Sequence, residues 1–267
     1  MAVHPQSLFL ALAGQHLLDE SRPLSGTSIV FAMKRLGVGE SAARSVLQRM
    51  TAKGLIDRHK EGRKTFYSLS DRGRRILREG QEKMYSGWQP QNWDGQWTLV
   101  RVQVPESKRT LRHRISSKLS WAGFGQTDGS TWVAPGARDV AELLGDEADE
   151  IDPIVLIGTP QPPTGDELLV AAFDLADLAE NYAAFGRKWQ AVEAPSLTPT
   201  EALVRRIELH FDWLRLTRTD PQLPVSLLPE DWPGTAQGRR FKDLDAQLGE
   251  RESSVIGAFF TGDLPTL

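Results

Sequence analysis

The sequence predicts an α+β protein with an N-terminal winged helix-turn-helix, a central ferredoxin-like α+β domain and a C-terminal mainly helical domain. Three observations predict it: helix patterns followed by a basic hairpin, then alternating strand and helix patterns, then long helical periodicity. The predicted domain boundaries are 1–86, 87–174 and 175–267. A chain of 267 residues with 40% hydrophobic content suits two or three domains.

Apolar residues at helical spacing predict three helices at the start of the chain. The first spans about 4–19, the second follows a cap at Ser25 or Ser28, and the third spans about 41–53. The third helix carries one apolar stripe that we expect to be buried: Ala43, Val46, Leu47 and Met50.

Two short strand patterns, 55–59 and 64–69, follow the third helix. A basic turn joins them, and Gly62 in this turn supplies the positive φ that a tight hairpin needs. Asp71 is expected to cap a fourth helix over 72–85. Helices, a glycine-containing turn and a basic hairpin in this order indicate a winged helix-turn-helix.

The charge is unevenly distributed along the chain. Residues 1–86 hold 15 Lys and Arg against 8 Asp and Glu, whereas the remainder holds 17 against 27. A basic first third on an acidic remainder favours a polyanionic partner at one end of the molecule. Together with the winged helix-turn-helix pattern, this predicts double-stranded DNA as the partner.

The polar face of the third helix carries the candidate base-reading residues. An α-helix fits the major groove, where Arg44 can form bidentate hydrogen bonds with guanine and Gln48 with adenine. Ser41 and Ser45 lie on the same face. Seven further cations are suited to phosphates, which position the protein without reading sequence. They are Arg35, Arg49, Lys53, Arg58, Lys60, Arg63 and Lys64.

The central part alternates between strand and helix patterns after a segment, 88–97, that reads as a linker. The predicted order is strand, helix, two short strands, short helix, acidic loop and apolar strand, which is typical of a ferredoxin-like domain. The segments are 97–104, 110–121, Phe124, 131–133, 139–144 and 154–157, with a further strand expected over 168–173. The C-terminal part contains predicted helices over 175–192, 200–217 and 239–248.

Several kinds of chemistry are excluded or disfavoured. The chain has no cysteine, so disulfides and thiolate sites are excluded. Its histidines lack metal-ligand spacing, and no phosphate-binding glycine loop occurs. The acidic cluster over 142–152 lacks the calcium-loop pattern, so a solvated loop is the favoured interpretation. We therefore expect no metal, no cofactor and no catalytic residues.

The N-terminus lacks the basic segment of a signal peptide, and the apolar runs are too short to cross a membrane. The absence of cysteine fits a reducing compartment. A cytoplasmic protein with no membrane partner is the expectation.

Six places in the chain carry a resemblance to a known family: Ser7–Leu10, 37–45, 62–69, the strand from Trp97 with the basic helix after it, Gly123-Phe124, and Leu227–Gly234. At these places the chain resembles the PaaX-type repressors of phenylacetate catabolism. The resemblance implies a winged-helix homodimer with a central ferredoxin-like domain, which represses catabolic genes and is released from DNA by phenylacetyl-CoA.

Aromatic side chains in the acidic two-thirds of the chain could line an effector pocket, although core packing is the favoured interpretation for each one. All eight tryptophans lie at position 88 or beyond. Neighbouring cations could meet the phosphates of an acyl-CoA. The candidates are Trp189, Trp213, Arg187, Lys188, Arg205 and Arg206, in a C-terminal part expected to serve dimerisation and effector binding.

Two alternatives remain open. One is a metal-dependent nuclease or RNA-processing enzyme with a ferredoxin-like core, which would need paired carboxylates at a strand end. Asp174 is the best single candidate and lacks an obvious partner. The other is a protein–protein scaffold, which would keep its affinity at high salt, whereas DNA binding weakens steeply.

Overall fold

A computed structural model describes residues 4–86 and 93–264 of the chain. It mixes helices with small antiparallel sheets, so the fold class is α+β. The chain divides into two compact units. Unit 1 comprises Met1–Ser86, Arg187–Arg215 and Ala236–Leu267; unit 2 comprises Gly87–Gly186 and Leu216–Thr235. The three-domain division at 86 and 174 stays a prediction, and residues 88–92 of the expected linker lie outside the described residues.

Unit 1 begins with the predicted helices and hairpin, and with one short strand, Leu24–Ser25, that was not predicted. They are α1 (Pro5–His16), β1 (Leu24–Ser25), α2 (Gly26–Arg35), α3 (Glu40–Ala52), β2 (Ile56–Glu61), β3 (Lys64–Leu69) and α4 (Asp71–Ser86). The strands form an antiparallel sheet in the order β1-β3-β2. Glu61 pairs with Lys64, and Gly62, with φ +60°, is the first of two turn residues. Glycine at this position suits a type II′ hairpin turn, whose twist matches the strands.

The core of unit 1 gathers the apolar stripes of α1, α2 and α3. Leu8 and Leu12 of α1 pack in the same cluster as Val46 and Met50 of α3, and all four are at most 1% exposed. Helices from the end of the chain complete this cluster. Because α1 and α3 share one close-packed core, a displacement of α1 is transmitted to α3.

The start of α4 differs from the expectation. Ser70, not Asp71, caps the helix: its Oγ accepts the Gly73 backbone N–H at 3.0 Å and donates to the Gly54 carbonyl at 2.7 Å. Asp71 is the first helical residue instead. In the sequence, Ser70 and Asp71 are equally suited to cap a helix. The nearby Gly54 carbonyl favours Ser70, because a hydroxyl can donate a hydrogen bond to this carbonyl and a carboxylate cannot.

The first helix ends at His16, three residues before the predicted end. The Arg74 guanidinium of α4 donates to the carbonyls of Leu17 and Leu18 at 3.1 and 2.6 Å, and to that of Glu20 at 3.0 Å. These long-range bonds turn the chain out of helical geometry. Ser25 precedes α2, but its side chain makes no capping hydrogen bond to that helix.

Unit 2 contains a four-stranded antiparallel sheet in the order β5-β6-β4-β7. Its elements are β4 (Trp97–Arg101), α5 (Arg109–Trp121), β5 (Gly125–Gln126), β6 (Thr131–Pro135), α6 (Val140–Leu144), α7 (Asp146–Asp149), β7 (Ile154–Gly158) and α8 (Thr164–Ala172). The first strand lies between the third and the fourth, as in a ferredoxin-like domain. Ile115 and Leu119 of α5 pack on Val100 and Trp132 of the sheet.

The strand expected over 168–173 is wrong, because α8 occupies this segment. A short apolar run does not distinguish a strand from a helix. Here Asp166 and Glu167 in the first turn and two alanines at the end favour the helix. The acidic stretch expected as a loop contains the short helix α7.

Four helices follow: α9 (Leu175–Trp189), α10 (Pro199–Thr219), α11 (Gly234–Glu252) and α12 (Ile256–Thr261). The predicted last helix over 239–248 is therefore the centre of a longer one, and α12 was not predicted. Six residues that include a glycine give too little periodicity to identify a helix. Across 4–86 and 93–264, no helix is long and apolar enough to cross a membrane.

Candidate nucleic-acid interface

The third helix presents a polar face to solvent and an apolar face to the core. Ala43, Val46, Leu47 and Met50 are at most 3% exposed, as the spacing predicts. On the other side, Ser41, Arg44 and Gln48 are exposed and Ser45 is half-buried. The four residues proposed to read bases therefore share one accessible face of α3.

An open groove of about 610 Å³ lies between α3 and the β2–β3 hairpin. Arg58 of β2 lies opposite Tyr67 of β3, so both side chains point to the same face of the hairpin. The groove is lined by Gly26, Thr27, Arg44, Leu47, Gln48, Thr51, Ala52, Arg58, Arg63, Lys64, Thr65 and Tyr67. Four cations and several neutral hydrogen-bonding groups thus converge on one concave surface, and phosphates and base edges require both kinds of group.

Two of the groove cations are held by carboxylates. Arg44 Nη2 lies 2.8 Å from a Glu40 oxygen, and Lys64 Nζ lies 2.9 Å from an Asp263 oxygen and donates to the Thr261 carbonyl at 3.0 Å. The Arg44 guanidinium lowers the pKa of Glu40, and the Lys64 ammonium lowers that of Asp263. All four charged side chains are at least half exposed, so these pairs are weak and a phosphate can displace them.

The other predicted contact residues lie outside this groove. Arg35, Arg49, Lys53 and Lys60 are exposed on the surrounding surface of unit 1, and Ser41 and Ser45 lie on α3 but do not line the groove. Four polar groove residues were not predicted from the sequence: Thr27, Thr51, Thr65 and Tyr67. Tyr67 could have been found from the register of the hairpin. Cross-strand neighbours point to the same face, so a hairpin that places Arg58 in the groove places Tyr67 there too.

The tryptophans of the expected effector pocket are core residues. Trp189 and Trp213 are fully buried. The Trp189 indole donates to Asp212 at 3.1 Å, and the Trp213 indole donates to the Met84 carbonyl at 2.9 Å while stacking on Phe241 at 4.8 Å. Both rings therefore already have their polar and apolar partners.

Expected effector cations form ion pairs within unit 1. Lys188 lies 2.7 Å from Glu208 and 2.6 Å from Asp212, and Arg205 lies 2.6 Å from Glu208. Lys188 and Arg205 also lie over the Trp189 ring at 5.2 and 5.3 Å. Arg206 is bound by two carboxylates of α11. Arg187 lies on the surface. The assignment of these residues to an effector stays a prediction.

The carboxylate considered for catalysis, Asp174, has a structural role. Asp174 accepts the backbone N–H of Asp177 at 2.9 Å and thereby caps α9. It follows a helix and not the expected strand. In the part of the chain that the structure describes, no three His, Asp or Glu residues are grouped so as to hold a metal ion.

Comparison with known proteins relates this architecture to one family. Three family models match along the chain: "PaaX-like protein" over residues 4–73, "PaaX protein central Cas2-like domain" over 90–157 and "PaaX-like protein C-terminal domain" over 173–256. The curated Transcriptional repressor PaaX of Escherichia coli (strain K12) is 31% identical over 242 residues, which cover 85% of this chain and 75% of the relative. The chain belongs to the PaaX family. A PaaX-like transcriptional repressor is the function that this membership supports.

A solved structure shares the PaaX-family fold seen here. It is "Uncharacterized protein Rv0674 from Mycobacterium tuberculosis", with a TM-score of 0.62 and 23% identity over 92% of this chain and 95% of that one. Membership of the family confirms the resemblance noted in the sequence.

Proposed function

We propose that this protein represses catabolic genes by binding an operator in double-stranded DNA through the groove between α3 and the hairpin. In the proposed complex α3 enters the major groove, where Ser41, Arg44, Ser45 and Gln48 meet base edges. The cations of the hairpin and of the surrounding surface meet phosphates. The observation that carries the proposal is the convergence of Arg44, Gln48, Arg58, Arg63 and Lys64 on one open groove.

Two variants separate base reading from phosphate binding. Arg44→Ala is expected to weaken operator binding by roughly 1–3 kcal/mol and to relax sequence preference. Lys64→Ala is expected to weaken binding to operator and random DNA alike. Arg78→Ala removes the same charge from an exposed arginine of α4 that does not line the groove, and it serves as the matched control.

The assay is a fluorescence-anisotropy titration of DNA from upstream of the protein's own gene, beside random DNA of equal length. Equal losses on both DNAs for Arg44→Ala would refute its base-reading role. A loss for Arg78→Ala as large as that for Lys64→Ala would show that only total charge matters. Affinity that is insensitive to salt would favour the protein–protein scaffold instead.

The repressor is proposed to act as a homodimer, with half-sites about 34 Å apart. Support comes from β7, an edge strand of the unit 2 sheet. Ile154, Leu156 and Ile157 are 56, 62 and 49% exposed, and 154–158 carries no charge. An apolar edge strand with unpaired backbone groups is a template for a second strand. Antiparallel pairing of β7 with its own copy is self-complementary, as two-fold symmetry requires.

The homodimer is tested by Leu156→Lys, which introduces a charge at the centre of β7. We expect light scattering to show a monomer, and we expect operator affinity to fall because the half-sites then bind singly. Val170→Lys, at an 80% exposed apolar position on α8, is the control and should remain dimeric. A Leu156→Lys dimer of unchanged stability would point to the C-terminal part, where the sequence analysis placed dimerisation.

An aryl-acyl-CoA such as phenylacetyl-CoA is proposed to release the repressor. The resemblance of the sequence to its family supports this effector. The candidate contacts for its phosphates are Lys188 and Arg205, which lie over the Trp189 ring, and the exposed Arg187. A gel shift with and without phenylacetyl-CoA tests it. Complex that persists at saturating thioester refutes this effector without affecting the DNA interface.

A further inference from the structure

A second cavity lies inside unit 1, away from the DNA-binding groove. It has a volume of about 220 Å³, is bordered by α1, α4 and α10, and is partly open to solvent. Leucines and Met84 form its apolar wall, and Asp19 lies at an exposed edge. Its lining includes Gly14, Gln15, Gly80, Met84, Arg206 and His210.

Two glycines inside helices border this cavity, Gly14 in α1 and Gly80 in α4. Glycine is the poorest helix former after proline, so a glycine within a helix calls for a structural reason. A Cβ at either position would meet nothing within 4 Å, so close packing is not that reason. Gly73 of α4 is the contrast, because a Cβ there would lie 2.1 Å from the Leu55 carbonyl. The two glycines therefore leave space between the helices.

The cavity also borders a polar group that lacks a partner. Gln15 is one of its lining residues, and both polar atoms of the Gln15 amide are shielded from solvent without a hydrogen-bond partner among the described residues. A buried amide in this state is costly, and most buried polar groups in proteins are satisfied. A ligand beside Gln15 that both donates and accepts hydrogen bonds would satisfy both atoms of the amide.

The charges around the cavity are already neutralised. Arg206 Nε lies 2.7 Å from Asp245, and Arg206 Nη1 lies 2.6 Å from Glu252. His210 Nε2 lies 2.6 Å from the same Asp245 oxygen. Asp19, at the exposed edge, lies 3.3 Å from Arg78. A charged ligand would thus find no unpaired counterion on the described walls, and a charge without a counterion is costly to bury. The cavity favours an uncharged molecule.

We propose that the cavity between α1, α4 and α10 binds a small uncharged molecule with a ring-sized apolar body and one group that donates and accepts hydrogen bonds. A cavity of about 150 Å³ already holds a benzene ring, so the volume here suits a ring with a short polar substituent. The nucleotide half of an acyl-CoA is too large for it. This site is separate from the thioester contacts proposed around Trp189.

The position of the cavity connects it to DNA binding. Gly14 lies on α1, whose Leu8 and Leu12 pack in the core that also holds α3. A ligand that changes the spacing of α1 and α4 therefore acts on α3, the helix that presents Arg44. This effect on DNA binding rests on the proposed function, whereas binding of the ligand does not.

Benzamide is the test probe, with benzoate as its charged analogue and toluene as the analogue without a hydrogen-bonding group. Binding to the full-length protein is followed by NMR of methyl-labelled methionines. We expect benzamide to shift the Met84 methyl signal most, with an affinity in roughly the millimolar range that is usual for so small a ligand. Benzoate and toluene should each bind about tenfold more weakly.

Gly80→Leu fills the cavity and should abolish the Met84 shift. Gly257→Leu makes the same change in α12, where a Cβ also meets nothing within 4 Å, and should bind benzamide as the wild type does. Gly14→Leu is the second filling variant if Gly80→Leu does not fold. A Met84 signal that is unmoved by benzamide, benzoate binding as tight as that of benzamide, or undiminished binding by a folded filling variant overturns the proposal.

Anisotropy titrations with operator DNA, with and without benzamide, separate this inference from the proposed function. Benzamide binding by a protein that binds no DNA would refute the repressor and leave the cavity site intact. DNA binding by a protein whose Met84 signal does not respond would refute the cavity site alone. Equal DNA affinity with and without bound benzamide would refute the coupling through α1.

Discussion

Burial of His16 contributes a pH-dependent part to the stability of unit 1, and replacing His16 with leucine should remove that part. The side chain is 6% exposed and packs edge-on against Phe259 at 5.1 Å, and its Nε2 has no partner among the described residues. Burial, followed by the charges of Arg206 and His210, lowers its pKa from 6.5 to about 3. The folded protein therefore keeps His16 neutral at a pH where the unfolded chain protonates it.

The magnitude follows from these two pKa values. The unfolded chain binds more protons below pH 6.5, so the stability falls as the pH falls through this range. Between about pH 7 and about pH 5 the loss amounts to about 2 kcal/mol. This is a large share of the roughly 5–15 kcal/mol by which a domain is usually stable.

The measurement is a urea titration of the wild type and His16→Leu at both pH values. Glu252 makes the comparison necessary, because burial raises its pKa to about 7 and its stabilising contribution is lost as the pH rises. Glu252 is present in both proteins, so the difference between their pH profiles isolates His16. If the free energy of unfolding changes equally in both proteins between these pH values, His16 is not held neutral by the fold and the reasoning fails.

Three further substitutions test packing and hydrogen bonding in a thermal or urea melt. Tyr182→Phe removes the buried hydroxyl that donates to Asp220, and it should cost about 1–3 kcal/mol; an unchanged melt would show that this bond contributes nothing. Gly123→Ala should lower the free energy of unfolding by more than about 1 kcal/mol, because φ is +87° and the new Cβ would lie 2.5 Å from the Pro221 carbonyl. Gly136→Ala, where φ is +83° and a Cβ meets nothing within 4 Å, measures the contribution of the backbone conformation alone. Arg74→Ala leaves three carbonyls after α1 without their cation and should lower the free energy of unfolding by roughly 2–3 kcal/mol. Alanine is the better helix former, so an unchanged or slightly raised stability would contradict that role.

Local patterns predicted the elements that carry the candidate site. The stripe from Ala43 to Met50 identified α3, since a helix repeats its buried face every three or four residues within one segment. Gly62 between two strand patterns identified the hairpin, because few residues adopt the positive φ that its turn needs. Both signals lie within a few residues of the feature that they predict.

Features made by distant residues were not predictable in this way. The bond from Lys64 to Asp263 joins positions 199 residues apart, and no periodicity relates them. The same is true of the contact between Arg206 and Asp245, which neutralises a cation that the sequence offered for phosphate binding. Charge counts identify cations but not their partners, so they overestimate how many are available to a ligand.

The carboxylates that hold Arg44 and Lys64 have a consequence for the thermodynamics of DNA binding. A free surface cation that meets a phosphate lets the DNA release a condensed salt ion, which contributes about 0.9 to the slope of log affinity against log salt. Glu40 and Asp263 already occupy these two cations, so each proposed contact exchanges one anionic partner for another and sets a carboxylate free. The displaced carboxylates must then gather cations from solution, which offsets the release from the DNA. The salt dependence of operator binding should therefore be shallower than the number of groove cations implies, and replacing Asp263 with asparagine should steepen it.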